Sequence, residues 1–143
     1  MVVQGLKYLM KGLVGVAIFA ALSSQVWAKA DSPATVAGAT TIDTQKAKQL
    51  FVQGIKFIDV RSNSDWEAGR IPLATHIELH HQFTPENLAQ VIAKDEPVVF
   101  YCNSLKCHRS AHASKKAVSW GYTKVYYYRT GYPAWRNALN PVE

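Results

Sequence analysis

Short apolar runs, separated by polar and glycine-containing stretches, divide the chain into alternating strands and helices. Residues 98–101 are β-branched or aromatic and uncharged, which is typical of a strand buried on both faces of a parallel sheet. Residues 55–60 and 124–128 predict two further strands, and 71–79 contains another short apolar one. Strands that alternate with helices in this way predict an α/β fold with a mostly parallel sheet and helices on both faces.

Capping residues mark where the intervening helices begin. Asp43 or Thr44 caps a helix that runs through Val52. Thr84, followed by a proline, caps a helix through Ala93. Three more helices are predicted. A short helix is capped by Ser64 together with Glu67 and is closed by Gly69. The other two are residues 110–120, ended by Gly121, and residues 133–139.

The N-terminal thirty residues have the features of a secretory signal peptide. Lys7 and Lys11 precede the apolar run 13–22, and small residues ending at Ala28 or Ala30 offer two cleavage sites. The run is about half the length needed to span a bilayer. We therefore expect an exported, periplasmic protein, attached to a membrane only if the segment stays uncleaved.

Removal of residues 1–30 changes the charge as well as the length. The formal charge falls from +6 to +3, because the segment contains Lys7, Lys11 and Lys29 and no acidic residue. A charge this small and scattered does not favour a nucleic-acid partner. The chain then divides into a signal peptide (1–30), a flexible linker (31–40) and one domain (41–143).

Cys102 is the strongest candidate for chemistry because it directly follows the strand 98–101. The carboxyl ends of parallel strands border the crevice in which ligands bind. The helix predicted from Ser110 would bring free N–H groups close to the thiol. Such groups lower a thiol pKa and bind small anions, which predicts a reactive thiolate. The alternative is an inert cysteine that packs as a small hydrophobic residue.

Cys107 lies five positions later in the same predicted loop. A disulfide between the two would close a small ring and stabilise the fold little. Cys107 is therefore either a candidate resolving cysteine, which attacks sulfur carried by Cys102, or a packing residue. His108 and His112 near the cysteines suggest a soft-metal site, but two histidines at one helix start give poor geometry for four ligands. We predict no metal and no cofactor.

Three separated segments, in order and spacing, resemble the rhodanese domain family: residues 57–72 (FIDVRSNSDWEAGRIP), 98–110 (VVFYCNSLKCHRS) and 117–138 (AVSWGYTKVYYYRTGYPAWRNA). The resemblance implies a five-stranded parallel sheet with helices on both sides. It also implies that Cys102, the first residue of the loop, carries a persulfide. In that family, sulfane sulfur passes from a donor such as thiosulfate to this cysteine, and then to a thiol or cyanide.

The resemblance makes the loop after Cys102 a candidate site for a small anionic sulfur donor. Arg109 is expected to bind the anion, and Lys106 adds charge at the mouth. Asp59 and Arg61 match a motif common in the family and are expected to orient the loop by hydrogen bonds. The expected second partner is a thiol acceptor or a redox protein. The loop candidates are Asn103, Ser104, Leu105, Lys106, Cys107, His108 and Arg109.

The chain departs from the family pattern in the loop itself. The loop is about two residues longer than usual. Related phosphatases and arsenate reductases have a cysteine, five residues and an arginine, whereas here His108 stands at that position and Arg109 follows it. Phosphatase chemistry is therefore not expected. The alternative to a sulfurtransferase is a non-catalytic binding module, or a thiol-disulfide redox protein that uses Cys102 and Cys107.

Two turns also depart from the pattern. Arg70 stands where the family usually has a histidine, and Leu73 where it usually has a glycine. Thr130 precedes Gly131 where two glycines are usual. The turn that contains Arg70 and Leu73 is therefore expected to be built differently.

Overall fold

A single five-stranded sheet forms the centre of the computed structural model, which describes residues 28–143. Its spatial order is β1-β5-β4-β2-β3, and every pairing is parallel. The predicted α/β fold with a parallel sheet is confirmed. The strands are β1 (Ala39–Ile42), β2 (Lys56–Asp59), β3 (Thr75–His76), β4 (Val98–Tyr101) and β5 (Val125–Tyr128).

Five helices connect and cover these strands in the described part of the chain. The Asp43 carboxylate accepts a hydrogen bond from the Lys46 N–H at 2.8 Å, and Thr84 caps the Asn87 N–H at 3.2 Å. Both predicted caps are confirmed. The helices are α1 (Thr44–Val52), α2 (Asn63–Ala68), α3 (Pro85–Ala89), α4 (Arg109–Ser119) and α5 (Gly131–Asn137).

Alternation along β4 separates two hydrophobic cores, one on each face of the sheet. Val98 and Phe100 pack in a core with residues of α3 and α4. Val99 and Tyr101 pack on the other face with residues of α1 and α5. All four side chains are completely buried, and burial of each stabilises the fold by about 1.5–3 kcal/mol. The sheet thus holds the end of β4, where Cys102 follows, as a rigid base.

The short helix α2 begins differently from the prediction. Its N-cap is Ser62, not Ser64. The Ser62 hydroxyl accepts from the Asp65 N–H at 3.2 Å and donates to the Asp65 carboxylate at 2.8 Å. Asp65 stands three positions after Ser62, where a capping box has its acidic residue, but it bonds to the hydroxyl of Ser62 and not to its backbone N–H. Gly69 closes the helix as predicted.

Most boundaries fall within two residues of the predictions, including α5, which is Gly131–Asn137 where 133–139 was predicted. Two elements differ by more. The strand predicted within 71–79 is only Thr75–His76, because β3 lies at the edge of the sheet and pairs with β2 alone. Helix α3 ends at Ala89 rather than Ala93, where the chain tightens into a turn closed by the Val91 N–H on the Leu88 carbonyl.

The structure does not agree with a flexible linker over residues 31–40. Ala39 and Thr40 begin β1 and pair with β5. Ser32 is 2% exposed, and its N–H donates to the Leu105 carbonyl at 2.6 Å. We call residues 30–38 the N-terminal arm. The strand β1 escaped prediction because its sequence, ATTI, has one strongly apolar residue.

Leu73 occupies the turn position where the family usually has a glycine, and it has a φ of 62°. This left-handed conformation costs an L-residue about 1–2 kcal/mol. Its side chain is 84% exposed and so gains little from packing. The turn is therefore made without the glycine, at the expense of local strain.

The predicted signal peptide falls almost wholly on residues 1–27, which lie outside the described part of the chain. Within residues 28–143, none of the helices has the length and apolar character that a bilayer crossing requires.

Candidate active-site loop

Residues 102–108 form a loop that joins β4 to α4, and Cys102 is its first residue. The start of α5 holds this residue in place, since the Tyr132 N–H donates to the Cys102 carbonyl at 2.8 Å. Gly131 has a φ of 65°, and any side chain there would collide with the same carbonyl. Of the two glycines usual in the family, the chain keeps the one that this contact requires, while Thr130 replaces the other.

The Cys102 thiol is completely buried at the start of α4. It donates to the Cys107 carbonyl at 3.3 Å and lies 3.2 Å from the Ser110 hydroxyl. The predicted proximity of this thiol to a helix start is present. The loop residues nevertheless cover the sulfur, so the resting site is closed to solvent.

The environments of the two cysteines shift their pKa values in opposite directions. Burial raises the pKa of Cys102, and a hydrogen bond to Cys107 with the negative charge there raises it further, against smaller opposing effects of Ser110. A hydrogen bond from Cys102 lowers the pKa of Cys107 to about 5, assisted by the Asn103 and Arg109 amides and opposed by burial. Cys107 is also partly exposed. The two thiols ionise as a coupled pair, and these effects favour the negative charge on Cys107, the more exposed of the two.

The predicted low pKa of Cys102 is therefore wrong for the resting state. The start of α4 lowers the pKa of a nearby thiol, but the depth at which Cys102 is buried raises it by more. Burial removes the hydration that stabilises a thiolate, and this loss exceeds the stabilisation that the hydroxyl and the backbone amide of Ser110 provide. The charge moves to the neighbouring thiol that stays nearer to solvent.

Asp59 and Arg61 support the loop from the side of β2. Their side chains are 0% and 2% exposed, and they form a salt bridge of 2.6 Å. Arg61 also donates to the Gly69 carbonyl at 2.7 Å and to the Asn103 side-chain oxygen at 3.4 Å. Asn103 in turn donates to Asp65 at 3.0 Å. These bonds connect the first loop residue after Cys102 to β2 and α2.

Arg109, the predicted anion-binding residue, points away from the loop interior. Its guanidinium forms an ion pair with Glu78 and donates to the Val60 carbonyl at 3.4 Å. Burial opposes ionisation of Glu78, but hydrogen bonds from Arg109 and His81 outweigh it and hold the pKa of Glu78 at about 2. An anion-binding role for Arg109 stays a prediction, and the charge of this guanidinium is already paired with Glu78.

Sequence reasoning missed Glu78, although a signal was present. It is an acidic residue within the apolar stretch 71–79, and it is 6% exposed. A carboxylate at such a position is rarely buried without a cationic partner. The partner, Arg109, lies 31 residues away along the chain, so only the fold brings the two together.

The outer side of the loop is bound to the N-terminal arm. Besides the Ser32–Leu105 bond, the Lys106 ammonium pairs with Asp31 at 2.5 Å. The His108 ring bonds to the Ala30 carbonyl at 2.9 Å. Within the loop, the Cys107 N–H bonds to the Ser104 carbonyl at 2.9 Å. The N-terminal arm, most of which was predicted to be a flexible linker, thus holds the middle of the loop from the outside.

Within residues 28–143, no group of three or more histidine, cysteine, aspartate or glutamate side chains is arranged to hold an ion. The His108 and His112 rings lie 6.4 Å apart, centroid to centroid.

Comparison with known proteins gives concordant results. A family model described as a rhodanese-like domain matches residues 43–138. The protein HIGH ARSENIC CONTENT 1, mitochondrial, of Arabidopsis thaliana is 30% identical over 115 residues, which cover 74% of this chain and 67% of that protein.

Solved structures share the architecture. The human single-domain sulfurtransferase TSTD1 is 26% identical, with a TM-score of 0.57 over 69% of this chain and 96% of that one. A Rhodopseudomonas palustris protein of unknown function, described as a possible tyrosine phosphatase, is 29% identical, with a TM-score of 0.60 over 73% and 85%. The Bacillus halodurans protein BH2092 has a TM-score of 0.65 over 73% and 77%, and at 22% identity it shows the fold alone.

Proposed function

The chain belongs to the rhodanese-like domain family, and from this premise we propose that it is a sulfurtransferase that carries sulfane sulfur as a persulfide on Cys102. The observation that carries the proposal is the position of this thiol, at the end of β4 and in contact with Ser110 at the start of α4. The similarity to the human single-domain sulfurtransferase supports the reaction class.

Loading of Cys102 requires a base, and Cys107 is placed to act as one. The Cys102 thiol donates to the Cys107 carbonyl at 3.3 Å, which brings it beside the Cys107 side chain. The two thiols titrate as a coupled pair, and we expect the Cys102 proton to pass to the Cys107 thiolate, whose pKa is about 5. The Cys102 sulfur then attacks the outer sulfur of thiosulfate and forms a new S–S bond. Sulfite leaves with the electron pair of the broken S–S bond. The Ser110 hydroxyl lies close enough to stabilise the charge on Cys102 as it develops.

Access to Cys102 requires a movement of the loop. In the resting structure the Cys107 carbonyl and the surrounding residues enclose the sulfur completely. A donor therefore reaches Cys102 only after this carbonyl has moved aside. The Lys106 ammonium, 59% exposed in its side chain, is the loop cation most available to attract an anionic donor.

A second candidate function is favoured by the contact of the Cys102 thiol with Cys107, whose carbonyl accepts its hydrogen bond at 3.3 Å. After loading, the Cys107 sulfur would attack the inner sulfur of the persulfide, form a Cys102–Cys107 disulfide and release hydrogen sulfide. A redox partner protein would then have to reduce the disulfide. The same two residues thus support a thiol-disulfide cycle if no thiol or cyanide accepts the sulfur first.

Export to the periplasm belongs to the proposal as well. Its support is the pattern of residues 1–30: lysines, an apolar run and small residues at two cleavage sites. Fractionation of cells that express the full chain, with the mass of the recovered protein, measures both location and processing.

Intact mass spectrometry tests the sulfurtransferase proposal. The full chain is reduced, freed of reductant and exposed to thiosulfate. We expect a gain of one sulfur atom by the wild type and by Cys107→Ser at alkaline pH, and no gain by Cys102→Ser. Steady-state formation of thiocyanate from thiosulfate and cyanide should fall by at least about a hundredfold in Cys102→Ser, as expected when a covalent nucleophile is lost.

The alternative outcomes separate the candidates. Retention of sulfur loading by Cys102→Ser would contradict a persulfide on Cys102. Loss of two hydrogens by the wild type, without any sulfur gained, would favour the disulfide cycle instead.

A further inference from the structure

Ser32 of the N-terminal arm joins the candidate active-site loop to the end of strand β5. Its N–H donates to the Leu105 carbonyl in the middle of the loop at 2.6 Å. Its carbonyl accepts two hydrogen bonds from the guanidinium of Arg129, from Nε at 3.2 Å and from Nη2 at 2.6 Å. Arg129 directly follows β5. The backbone of one arm residue thus connects the loop with the sheet, and none of the mechanistic steps above uses this connection.

Further bonds to the sheet follow along the arm. The hydroxyl of Tyr127, a fully buried residue of β5, donates to the Pro33 carbonyl at 3.0 Å. The hydroxyl of Thr41, in β1, donates to the Ala34 carbonyl at 2.9 Å. Together with the bonds of Arg129, side chains from the sheet and its end therefore bind three consecutive carbonyls of the arm. The arm is a support against which the loop is held.

The contacts of the arm with the loop lie on both sides of Cys107. Residues 105–106, before this cysteine, and His108, after it, bond to residues 30–32 of the arm. The Cys107 carbonyl accepts the hydrogen bond of the Cys102 thiol at 3.3 Å. The peptide group that covers the thiol thus lies between residues that the arm holds. Movement of this carbonyl away from Cys102 therefore strains or breaks contacts with the arm.

The contacts that hold the arm differ in strength. The side chains of Lys106 and Asp31 are 59% and 50% exposed, and an exposed ion pair contributes little by itself. The two bonds from Arg129 to the Ser32 carbonyl are partly buried, and their donor is charged. Hydrogen bonds from a charged donor are about twice as strong as those between neutral groups. Arg129 is therefore the main anchor of the part of the arm that contacts the loop.

We propose that the N-terminal arm restrains the opening of the loop over Cys102, and that Arg129 is the positioning residue that holds the arm in place. Through the arm, Arg129 sets how often the loop opens, and so how fast an anionic sulfur donor reaches the thiol. This control of loading rests on the proposed persulfide of Cys102. The restraint itself is a property of the folded chain, and it can be measured without any sulfur donor.

Alkylation of Cys102 by iodoacetamide, a neutral reagent, measures the opening of the loop. The reduced full chain is labelled briefly, and trypsin, which cuts after Lys106, separates the peptides of the two cysteines for mass spectrometry. We expect Arg129→Met to raise the labelling rate of Cys102 by about tenfold, the factor that corresponds to loss of a hydrogen bond from a charged donor. The matched control is Arg70→Met, which removes an arginine that bonds to Glu143 and not to the arm. It should leave the rate unchanged.

Asp31→Asn is the second variant, because Arg129→Met also removes support from the fold. This exposed substitution weakens the ion pair with Lys106 and should raise Cys102 labelling by about twofold, an effect that shrinks in high salt. Arg129→Lys retains the charge but not the planar set of donors, so its labelling rate should lie between those of Arg129→Met and the wild type. Loading by thiosulfate should accelerate in the same order, whereas damage to the site would slow it.

Urea distinguishes opening of the loop from unfolding of the domain. Local opening exposes little surface, so labelling through it should change little in urea below the unfolding transition. Labelling through global unfolding would accelerate steeply with urea. We expect the shallow dependence for the wild type and for Arg129→Met.

The outcomes distinguish failure of this inference from failure of the proposed function. Labelling of Cys102 at the wild-type rate in Arg129→Met, or in Asp31→Asn at low salt, would overturn the restraint. A rise in Arg129→Met that depends on urea as steeply as global unfolding would overturn it as well. Faster labelling, with no sulfur gained from thiosulfate by any variant, would support the restraint and overturn the sulfurtransferase proposal. Faster labelling with slower loading would overturn the control of loading by Arg129.

Discussion

The inner and outer sides of the candidate active-site loop differ in burial. On the inner side, Cys102 is fully buried, and Asp59 and Arg61 behind it are closed to solvent. On the outer side, the side chains of Lys106 and its partner Asp31 are at least half exposed. The proposed sulfur chemistry thus lies on the enclosed side of the loop, and the contacts with the N-terminal arm lie on the open side. Substitutions on the two sides should therefore have separable effects.

The largest expected effect comes from the buried ion pair that supports the inner side. Arg61→Met would leave the Asp59 carboxylate buried without its partner, which typically costs about 3–5 kcal/mol. Urea denaturation at neutral pH measures this change. The matched control is Arg70→Met, which breaks the exposed pair with Glu143 and should cost less than about 1 kcal/mol. Equal losses in the two variants would mean that the inner side is no more tightly organised than the surface.

Next in size is the contribution of Glu78, which should depend on pH. Its pKa is about 2 in the folded protein against an ordinary 4.5, so its stabilising effect is complete above 4.5 and disappears as pH falls through 2. Glu78→Gln should lower the free energy of unfolding by about 2 kcal/mol at pH near 6, with the difference shrinking towards pH 2. Unfolding curves at several pH values measure it. A difference that does not change with pH would argue against the ion pair with Arg109.

A smaller effect is expected from Cys107, and it should appear in kinetics. The Cys107 thiolate exists above its pKa of about 5, so wild-type loading by thiosulfate should persist into the mildly acid range. In Cys107→Ser, Cys102 must lose its proton to solvent. The substitution also removes the part of the rise in the Cys102 pKa that Cys107 causes, but burial, which is the largest cause, remains. Loading at neutral pH should then fall by about tenfold and recover at alkaline pH. Identical pH profiles for the two proteins, at equal thermal stability, would exclude Cys107 as the base.

The elements that the sequence predicted well are those whose signals are local. The four apolar residues Val98 to Tyr101 predicted a buried strand, and all four are completely buried. The position of Cys102 at the end of this strand could be predicted for the same reason, because neighbouring residues determine where strands end and helices begin. Asp43 and Thr84 were readable as caps for the same reason.

The features that the sequence did not predict depend on contacts between distant segments. The N-terminal arm has one large apolar residue, Val36, and its position depends on partners such as Leu105 and Arg129. The pairing of Arg109 with Glu78 depends on the turn that follows β3. The pKa of Cys102 depends on how deeply the loop encloses it, which spacing along the chain does not reveal.

The most direct test of the central claim is to locate the sulfur after a brief exposure to thiosulfate. The reduced full chain is pulsed at mildly acid pH, where Cys107 is ionised, then alkylated, digested and mapped by mass spectrometry. The persulfide should be found on Cys102, with Cys107 recovered as an alkylated thiol. Sulfur found on Cys107 while Cys102 is a simple thiol would contradict the assignment of carrier and base.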